Sequence, residues 1–233
     1  MVKSRLTSFL FLLLFLLALS YLLYYVQGSV QTSNYCRFPA QTLVIDAGHG
    51  GEDGGAVALS GTAESSINLA IALKMDQLCG LYGVQTKLVR TEDVSLADAG
   101  AATLREKKHT DLLNRVELIE NTENAVLLSI HQNNYTSASS QGAQVFFRAD
   151  AESQQWAVQL QELLRQSLDP DNTRQATEIP DAVYLMNHVS CRAVLVECGF
   201  LSNPEENALL ETDGYQTRIA AALTASYLLY EQS

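Results

Sequence analysis

The sequence predicts an α/β fold, a three-layer sandwich in which a mostly parallel central sheet is flanked by helices. Short apolar segments of strand length alternate along the chain with longer segments whose apolar residues recur at helical spacing. This alternation is typical of βαβ units, whose crossover helices cover the faces of a parallel sheet. The 233 residues contain no internal repeat, and their number suits one domain with a short N-terminal extension.

The elements follow one another from residue 42 onward. Runs rich in β-branched residues and leucine predict strands over Thr42–Asp46, Val84–Val89, Ala125–Ile130, Gly142–Phe147, Val183–Met186 and Ala193–Val196. Apolar residues at helical spacing predict helices over Ile67–Cys79, Asp111–Glu120, Trp156–Leu168 and Tyr215–Tyr230. Residues 91–109 and Asp169–Ile179 lack a regular pattern and are predicted as loops.

The N-terminus carries a segment suited to a membrane. Ser8–Val26 contains no charged residue, follows Lys3 and Arg5, and is long enough to cross a bilayer as a helix. The basic flank predicts a cytoplasmic N-terminus and an exported remainder. A cleaved signal peptide is the alternative, with Phe9–Leu19 as its apolar region, but the cleavage signals are poor and favour an anchor. We therefore predict an anchor or signal segment over residues 1–27, a polar linker over 28–41 and a catalytic domain over 42–233.

The exported part is acidic. It contains 13 of the 15 basic residues, since Lys3 and Arg5 lie in the N-terminal segment, and all 26 acidic ones, which gives a net charge of −13. Nucleic-acid binding requires a basic footprint, so this class of partner is excluded. An anionic polymer would gain no general attraction either, and its recognition must depend on local contacts.

Three polar residues follow predicted strands. His49 comes shortly after Thr42–Asp46, His131 directly after Ala125–Ile130, and Glu197 directly after Ala193–Val196. In an open α/β sheet, ligands bind in the crevice outside the carboxyl ends of the strands, and parallel strands would bring these three side chains together there. Two histidines and carboxylates are the residues of a catalytic zinc site, which keeps a position open for water.

The third zinc ligand stays open at this point. Glu52 would complete a His-x-x-Glu pattern with His49, whereas Glu64 precedes the predicted helix across the Gly-rich loop. Glu197 would be the general base that takes the proton of the attacking water and returns it to the leaving amine.

Two other functions remain possible. A zinc carboxypeptidase would use His49, Glu52 and His131, and would need an arginine for the free carboxylate, for which Arg148, Arg174 and Arg192 are available. A non-catalytic wall-binding protein could retain the same fold, although the four catalytic positions are intact.

Other polar residues have simpler interpretations. His109 lies in a basic run, Arg105–His109, which we expect to be a solvated loop, and His188 is not expected to bind metal. The glycines between positions 48 and 55 do not form a dinucleotide fingerprint, and we expect them to let the backbone turn tightly around a metal ligand. Cys79 and Cys198 lie in apolar contexts that favour buried free thiols.

Three segments together resemble the signatures of the zinc-dependent N-acetylmuramoyl-L-alanine amidases of catalytic type 3. They are Val44–Gly51, Ser129–Asn133 and Val194–Asn203, in the same order as in that family, and the similarity extends from Thr42 to Tyr230. The resemblance implies Zn²⁺ held by His49, Glu64 and His131, with Glu197 as the catalytic acid. It also implies that the substrate is peptidoglycan, cut between muramic acid and L-alanine.

A narrower resemblance points to the germination-specific branch of spore formers. Thr173–Ala176, Val183–Met186 and Asp111–Val116 are similar to segments of that branch, which removes stem peptides in the spore cortex before muramic lactam forms. An N-terminal membrane segment and the lack of a wall-binding repeat suit this branch, and a bare domain leaves room for an activating or targeting protein partner. Ala47 stands where the family often has proline, and Cys191–Arg192 and Cys198 are further departures.

Overall fold

The computed structural model describes residues 41–231 together with Leu17, Ser20 and Tyr21. Its strands are β1 (Thr42–Ala47), β2 (Thr86–Leu88), β3 (Ala125–Asn133), β4 (Gln144–Phe147), β5 (Thr177–Glu178) and β6 (Arg192–Phe200). Its helices are α1 (Glu64–Leu81), α2 (Leu104–Glu120), α3 (Ala151–Leu168), α4 (Tyr184–His188), α5 (Pro204–Leu210) and α6 (Asp213–Glu231).

The strands of the described chain form one six-stranded sheet in the order β2-β1-β3-β6-β4-β5. The β1–β2, β1–β3, β3–β6 and β4–β5 pairs are parallel, and β4 runs antiparallel to β6. The prediction of a mostly parallel sheet is therefore confirmed. Because β1, β3 and β6 are parallel neighbours, their carboxyl ends meet at one edge of the sheet, where a crevice is expected.

Helices cover both faces of the sheet. On one face Ile45, Leu128 and Val196 pack in a large core with residues of α1, α3 and α6. On the other face Val44 and Leu127 pack with residues of α2, α4 and the loops beside them. The predicted three-layer arrangement is confirmed, and it follows from the period of two along each strand, which sends alternate apolar side chains to opposite layers.

The second face changes character towards the carboxyl ends of the strands. On β1, Asp46 follows Val44 on this face of the sheet. On β3, Ser129 and then His131 follow Leu127 on the same face. His131 is the register partner of Glu197 on β6. One face of the sheet thus supplies an apolar core at its centre and a row of polar side chains at its edge.

Several predicted boundaries are wrong. Val183–Met186 is not a strand, since Tyr184–His188 forms the short helix α4. Residues 104–109 are not a loop but the first turns of α2, which starts at a capping box between Thr103 and Glu106. Helix α5 was not predicted at all. His131 and Glu197 lie inside β3 and β6 rather than after them, because both strands extend past the apolar run.

The predicted anchor and linker, residues 1–27 and 28–41, lie outside the described residues apart from Leu17, Ser20, Tyr21 and Gln41. Among the helices in the described part of the chain, none is long and apolar enough to span a membrane.

Candidate metal centre

The loop after β1 presents His49 in an uncommon backbone conformation. His49 has a φ of 61°, in the left-handed region that few non-glycine residues occupy. The glycine before it is required by space, because a Cβ on Gly48 would lie 2.2 Å from Nε2 of His131. A Cβ on Gly55 would likewise lie 2.5 Å from Oε2 of Glu64. These two glycines therefore let the backbone pass close to His131 and Glu64.

Two buried arginines fix the carbonyl groups of this loop. Arg90 donates from Nε to the Ala47 carbonyl (2.9 Å) and from Nη2 to the Gly48 carbonyl (3.1 Å). Arg115 donates from Nη1 to the Ala47 carbonyl (3.0 Å) and from Nη2 to the His49 carbonyl (2.7 Å). The backbone that carries His49 is therefore held from the protein interior.

Glu64 is the first residue of α1 and is only 3% exposed. Its Oε1 accepts hydrogen bonds from the backbone N–H of Gln132 (3.0 Å) and from Nδ2 of Asn68 (3.2 Å), while its Oε2 accepts from the backbone N–H of Ala56 (2.9 Å). These donors from three parts of the chain fix the carboxylate in one orientation. It points between the two histidines, with Oε1 at 3.1 Å from Nδ1 of His131 and 3.5 Å from Nε2 of His49.

His49, Glu64 and His131, here called the ligand cluster, offer three ligand atoms that all lie within 4.8 Å of one another. The two imidazole rings are 5.0 Å apart between centroids and nearly perpendicular. Two imidazole nitrogens and one carboxylate are a donor set of catalytic zinc sites. The residues present therefore fit a zinc ion.

Asp53 orients the first of these histidines. Its Oδ2 lies 3.0 Å from Nδ1 of His49, and its Oδ1 forms an ion pair with Lys108 at 2.8 Å. A carboxylate on one ring nitrogen sets the tautomer and leaves the other nitrogen as the metal ligand. Nε2 of His49 is the nitrogen that faces Glu64, so the arrangement agrees with this rule.

Burial and neighbouring charges shift the pKa values of Glu64 and His131. Burial raises the pKa of Glu64, but the hydrogen bond with His131 and the charges of both histidines outweigh it and lower the pKa to about 2. Burial lowers the pKa of His131, but the hydrogen bond with Glu64 and the charges of Glu197 and Glu64 outweigh this effect. The net result is a raised pKa for His131. The carboxylate is thus ready to bind a cation at neutral pH.

Glu197 lies beside the ligand cluster but has a different environment. Its register partner on β3 is His131, and its Oε2 is buried without a hydrogen-bond partner. Burial raises the pKa of the Glu197 carboxyl to about 7, against the opposing effect of the His131 charge. The side chain lines a cleft of about 360 Å³ together with His49, His131, Leu112 and Tyr184. A carboxyl group with a pKa near neutrality, open to a cleft, suits proton transfer.

A second group of polar side chains, most of them buried, lies beside the ligand cluster. Asp46, Asp111, Arg115 and Ser129, here called the support cluster, are joined by short hydrogen bonds. Arg115 donates to Asp46 Oδ1 (2.5 Å) and to Asp111 Oδ2 (2.7 Å), and Ser129 Oγ donates to Asp46 Oδ2 (2.6 Å). Burial raises the pKa of Asp46, but Arg115 and Ser129 lower it to below its usual range.

The alternative ligand Glu52 lies elsewhere. Its carboxylate is exposed and forms an ion pair with Nζ of Lys107 at 2.5 Å. His109 and His188 both lie beside the ring of Tyr184, at centroid distances of 6.3 and 3.7 Å, and are not part of the ligand cluster. Cys79, Cys191 and Cys198 are free thiols, and the first and last are buried as expected.

Asp53, Asn68 and Arg90 contribute to the site but were not singled out from the sequence. Asp53 stands four residues after His49, a spacing that a metal-ligand search could include. Asn68 lies one helical turn after Glu64, so the spacing of four also connects these two. No sequence pattern marks Arg90, because it reaches the loop through the tertiary fold.

The whole described domain is similar to known proteins. Residues 43–227 match the N-acetylmuramoyl-L-alanine amidase family. The germination-specific N-acetylmuramoyl-L-alanine amidase of Bacillus subtilis is 35% identical over 189 residues, 81% of this chain and 78% of that protein. The amidase AmiA of Escherichia coli is 26% identical over 82% of this chain and 76% of its own. The CwlD amidase of Clostridioides difficile, solved in complex with the GerS lipoprotein, is 37% identical, with a TM-score of 0.79 over 82% of this chain and 98% of that one.

Proposed function

The chain belongs to the N-acetylmuramoyl-L-alanine amidase family, and we propose that it hydrolyses the bond between muramic acid and L-alanine in peptidoglycan with a zinc ion held by His49, Glu64 and His131. In this proposal Glu197 is the catalytic residue that moves the proton. The observation that carries it is the juxtaposition of a zinc-type donor set with a partnerless buried carboxylate oxygen on the neighbouring strand.

The residues would divide the reaction as follows. Zinc, when bound, acts as a Lewis acid that polarises the scissile carbonyl and acidifies water. Glu197 accepts the proton that the attacking water loses and returns it to the nitrogen of L-alanine as the carbon–nitrogen bond breaks. Asp53 keeps the His49 ring in place, and the hydrogen bonds of Gln132 and Asn68 do the same for Glu64.

The zinc carboxypeptidase arrangement receives less support. It needs Glu52 in place of Glu64, and the Glu52 carboxylate forms an ion pair with Lys107 on α2. The family membership and the amidases among the relatives also favour cleavage next to muramic acid.

We also propose a role in the spore cortex, where the enzyme would remove stem peptides before muramic lactam forms. The relatives that support it are the germination-specific enzyme of B. subtilis and the CwlD amidase. Deletion of the gene should leave vegetative growth normal and give spores that lack muramic lactam and germinate poorly. Muropeptide analysis of deletion spores tests this, and a normal lactam content would leave a general wall amidase.

The proposal places the catalytic domain on the outer side of a membrane, with Ser8–Val26 as its anchor or signal segment. We also propose that the enzyme binds a protein partner, because the related CwlD amidase was solved in complex with the GerS lipoprotein. An acidic domain gains no general attraction to an anionic wall polymer and would gain its localisation from such contacts.

The direct test of the activity is product analysis. Purified peptidoglycan incubated with the protein should gain free amino termini of L-alanine without release of free amino acids. Removal of metal with a chelator should abolish the reaction, and Zn²⁺ should restore it. Release of free amino acids would indicate a carboxypeptidase instead, and no product at all would indicate a binding protein.

A further inference from the structure

Arg174 is an arginine held in a fixed orientation by neutral groups. Its charge acts on the Glu206 carboxylate, but the oxygens of Glu206 accept hydrogen bonds from the backbone N–H groups of Gly142 and Phe200. Arg174 donates from Nε to the Gln141 carbonyl (2.7 Å) and from Nη1 to Oε1 of Gln144 (2.9 Å). Its guanidinium group lies over the ring of Phe200, 4.5 Å from the centroid. Among the ion pairs of the described residues none involves Arg174. The domain has about twice as many acidic as basic residues. An arginine that forms no ion pair in such a domain is therefore a candidate for binding a ligand.

The position of Gln144 brings Arg174 next to the catalytic cleft. Gln144 is the register partner of Glu197 across the antiparallel β4–β6 pair. Side chains of directly opposed residues lie on the same face of a sheet, with their Cβ atoms about 5 Å apart. Arg174 is therefore one side chain beyond Glu197, on the side away from the ligand cluster. It borders a cavity of about 490 Å³ whose other lining residues are all polar, among them Ser140, Asn172 and one acidic residue, Asp171.

The two other arginines that could hold a carboxylate are occupied elsewhere. Arg148 forms an ion pair with Asp150, and Arg192 forms one with Glu152. Both lie at the opposite end of the β4–β6 pair from Glu197, since Arg148 follows the carboxyl end of the antiparallel β4 and Arg192 begins β6. Arg174 alone of the three combines an open guanidinium with a position beside the proposed base.

A guanidinium group matches a carboxylate because its parallel N–H groups can bind both oxygens. In the substrate class proposed above, the residue after L-alanine is a glutamate linked through its side chain, and its α-carboxylate is free. Two extended residues span about 7 Å, and neighbouring strands lie about 5 Å apart. A peptide that leaves Glu197 towards β4 would thus bring this carboxylate to Arg174.

We propose that Arg174 binds the free α-carboxylate of the second stem-peptide residue and thereby sets both the direction of the peptide in the cleft and the preference for an unamidated stem. The proposal rests on the amidase function proposed above. Arg174 would be a specificity-determining residue that contacts substrate, while Gln144 and Phe200 hold it in position.

The test compares two muropeptides that differ only at this carboxylate, one free and one converted to the amide. Charge-assisted hydrogen bonds support a difference of about tenfold to a hundredfold in kcat/KM between them for the wild-type protein. Arg174→Ala should lower kcat/KM for the free form by the same factor and leave the amidated form within about threefold, and Arg174→Lys should lie between. Arg148→Ala is the matched control and should keep the wild-type preference.

Each outcome has a distinct meaning. Equal wild-type rates on the two substrates, or an equal loss on both in Arg174→Ala with an unchanged melting temperature, would overturn the assignment. A third substrate, amidated only at the peptide's C-terminus, should react like the free form, and a loss confined to it would show that Arg174 binds the terminal carboxylate instead. If the wild-type protein releases L-alanine amino termini from none of them, the proposed amidase function has failed rather than this inference.

Discussion

Glu197 and the support cluster lie close together at one edge of the sheet and differ in how completely their polar atoms are paired. In the support cluster, Arg115 uses Nε, Nη1 and Nη2, and both oxygens of Asp46 accept short hydrogen bonds. Beside it, Glu197 has a buried oxygen without a partner. The two are close neighbours in the sheet, since Ser129 of the support cluster is two residues before His131, the register partner of Glu197.

The difference separates the scaffold from the reaction centre. A buried charge that is fully paired has little left to offer a ligand and contributes to one fixed structure. An unpaired buried carboxylate is costly for the fold and is retained where a proton or a ligand must be received. Pairing therefore distinguishes Glu197, which is expected to move the proton, from the support cluster, which is expected to hold the site.

The largest effect is expected for Glu197→Gln. The amide cannot accept the proton of the attacking water, so turnover should fall by about 10²–10⁴-fold while zinc content stays at the wild-type level. The rate at which L-alanine amino termini appear and metal analysis of the same preparation measure the two quantities. A variant that keeps more than about a tenth of the wild-type turnover would exclude Glu197 as the base.

Arg115→Met should break the support cluster and lower the free energy of unfolding. Asp46 would be left buried without its cation, which costs about 3–5 kcal/mol in the free energy of unfolding. Urea unfolding measures the loss, and Arg105→Met on the exposed surface of the same helix is the control, expected within about 0.5 kcal/mol of wild type. Equal stability of the two variants would mean that the support cluster does not hold the site.

Glu64→Ala should remove the metal while Glu52→Ala keeps it. Loss of a residue that only supports a metal ligand weakens metal binding by about 10–100-fold. Glu64 is itself a ligand in the proposed site, so its loss should weaken zinc binding by more than that. Zinc content after dialysis against a weak chelator compares the two variants. The reverse result would favour the carboxypeptidase arrangement with Glu52 as the ligand.

Asp53→Asn should weaken zinc binding without abolishing it. The carboxylate at His49 Nδ1 makes the ring a better donor, and loss of such a partner costs about 10–100-fold in metal affinity. Competition with a fluorescent zinc chelator gives the affinity, and Glu52→Gln in the same loop is the matched control. An unchanged affinity in Asp53→Asn would place Asp53 outside the metal site.

The smallest expected effect is on the pH dependence of stability in the metal-free protein. The pKa of the Glu197 carboxyl is raised to about 7 in the folded state. The group therefore lowers the stability of the protein as the pH rises from the pKa of the unfolded state towards 7. The Glu197→Gln variant should therefore match the wild-type free energy of unfolding near pH 4 and exceed it above pH 7. Asp46 has the opposite sign, because its lowered pKa gives stability that is lost as pH falls below 4. Chelator-treated protein unfolded in urea at several pH values tests this.

The layers of the fold and the convergence of the two histidines with Glu197 could be predicted from the sequence, because the period of apolar residues decides which face each side chain takes. The strand predicted at Val183–Met186 failed for a physical reason: four apolar residues in a row are compatible with a strand or a helical turn, and only packing decides. Helix α2 begins earlier than predicted because Thr103 and Glu106 form a capping box, whereas its first turns are too polar to show a helical period.

Two contributions to the site could not be read from the residues in sequence. The choice between Glu52 and Glu64 depends on how the Gly-rich loop folds back, and here the family resemblance named the residue that the ligand cluster contains. Arg90 and Arg115 are separated from His49 by 41 and 66 positions, and their hydrogen bonds to its loop depend on the assembled sheet.

Both arginines bind the loop after β1 through carbonyl oxygens, which every amino acid has. The Ala47 carbonyl accepts from Nε of Arg90 and from Nη1 of Arg115, and neither hydrogen bond involves the side chain at position 47. That side chain is fully buried in the large core. Two cations thus hold the backbone of a residue whose side chain serves only to pack the interior.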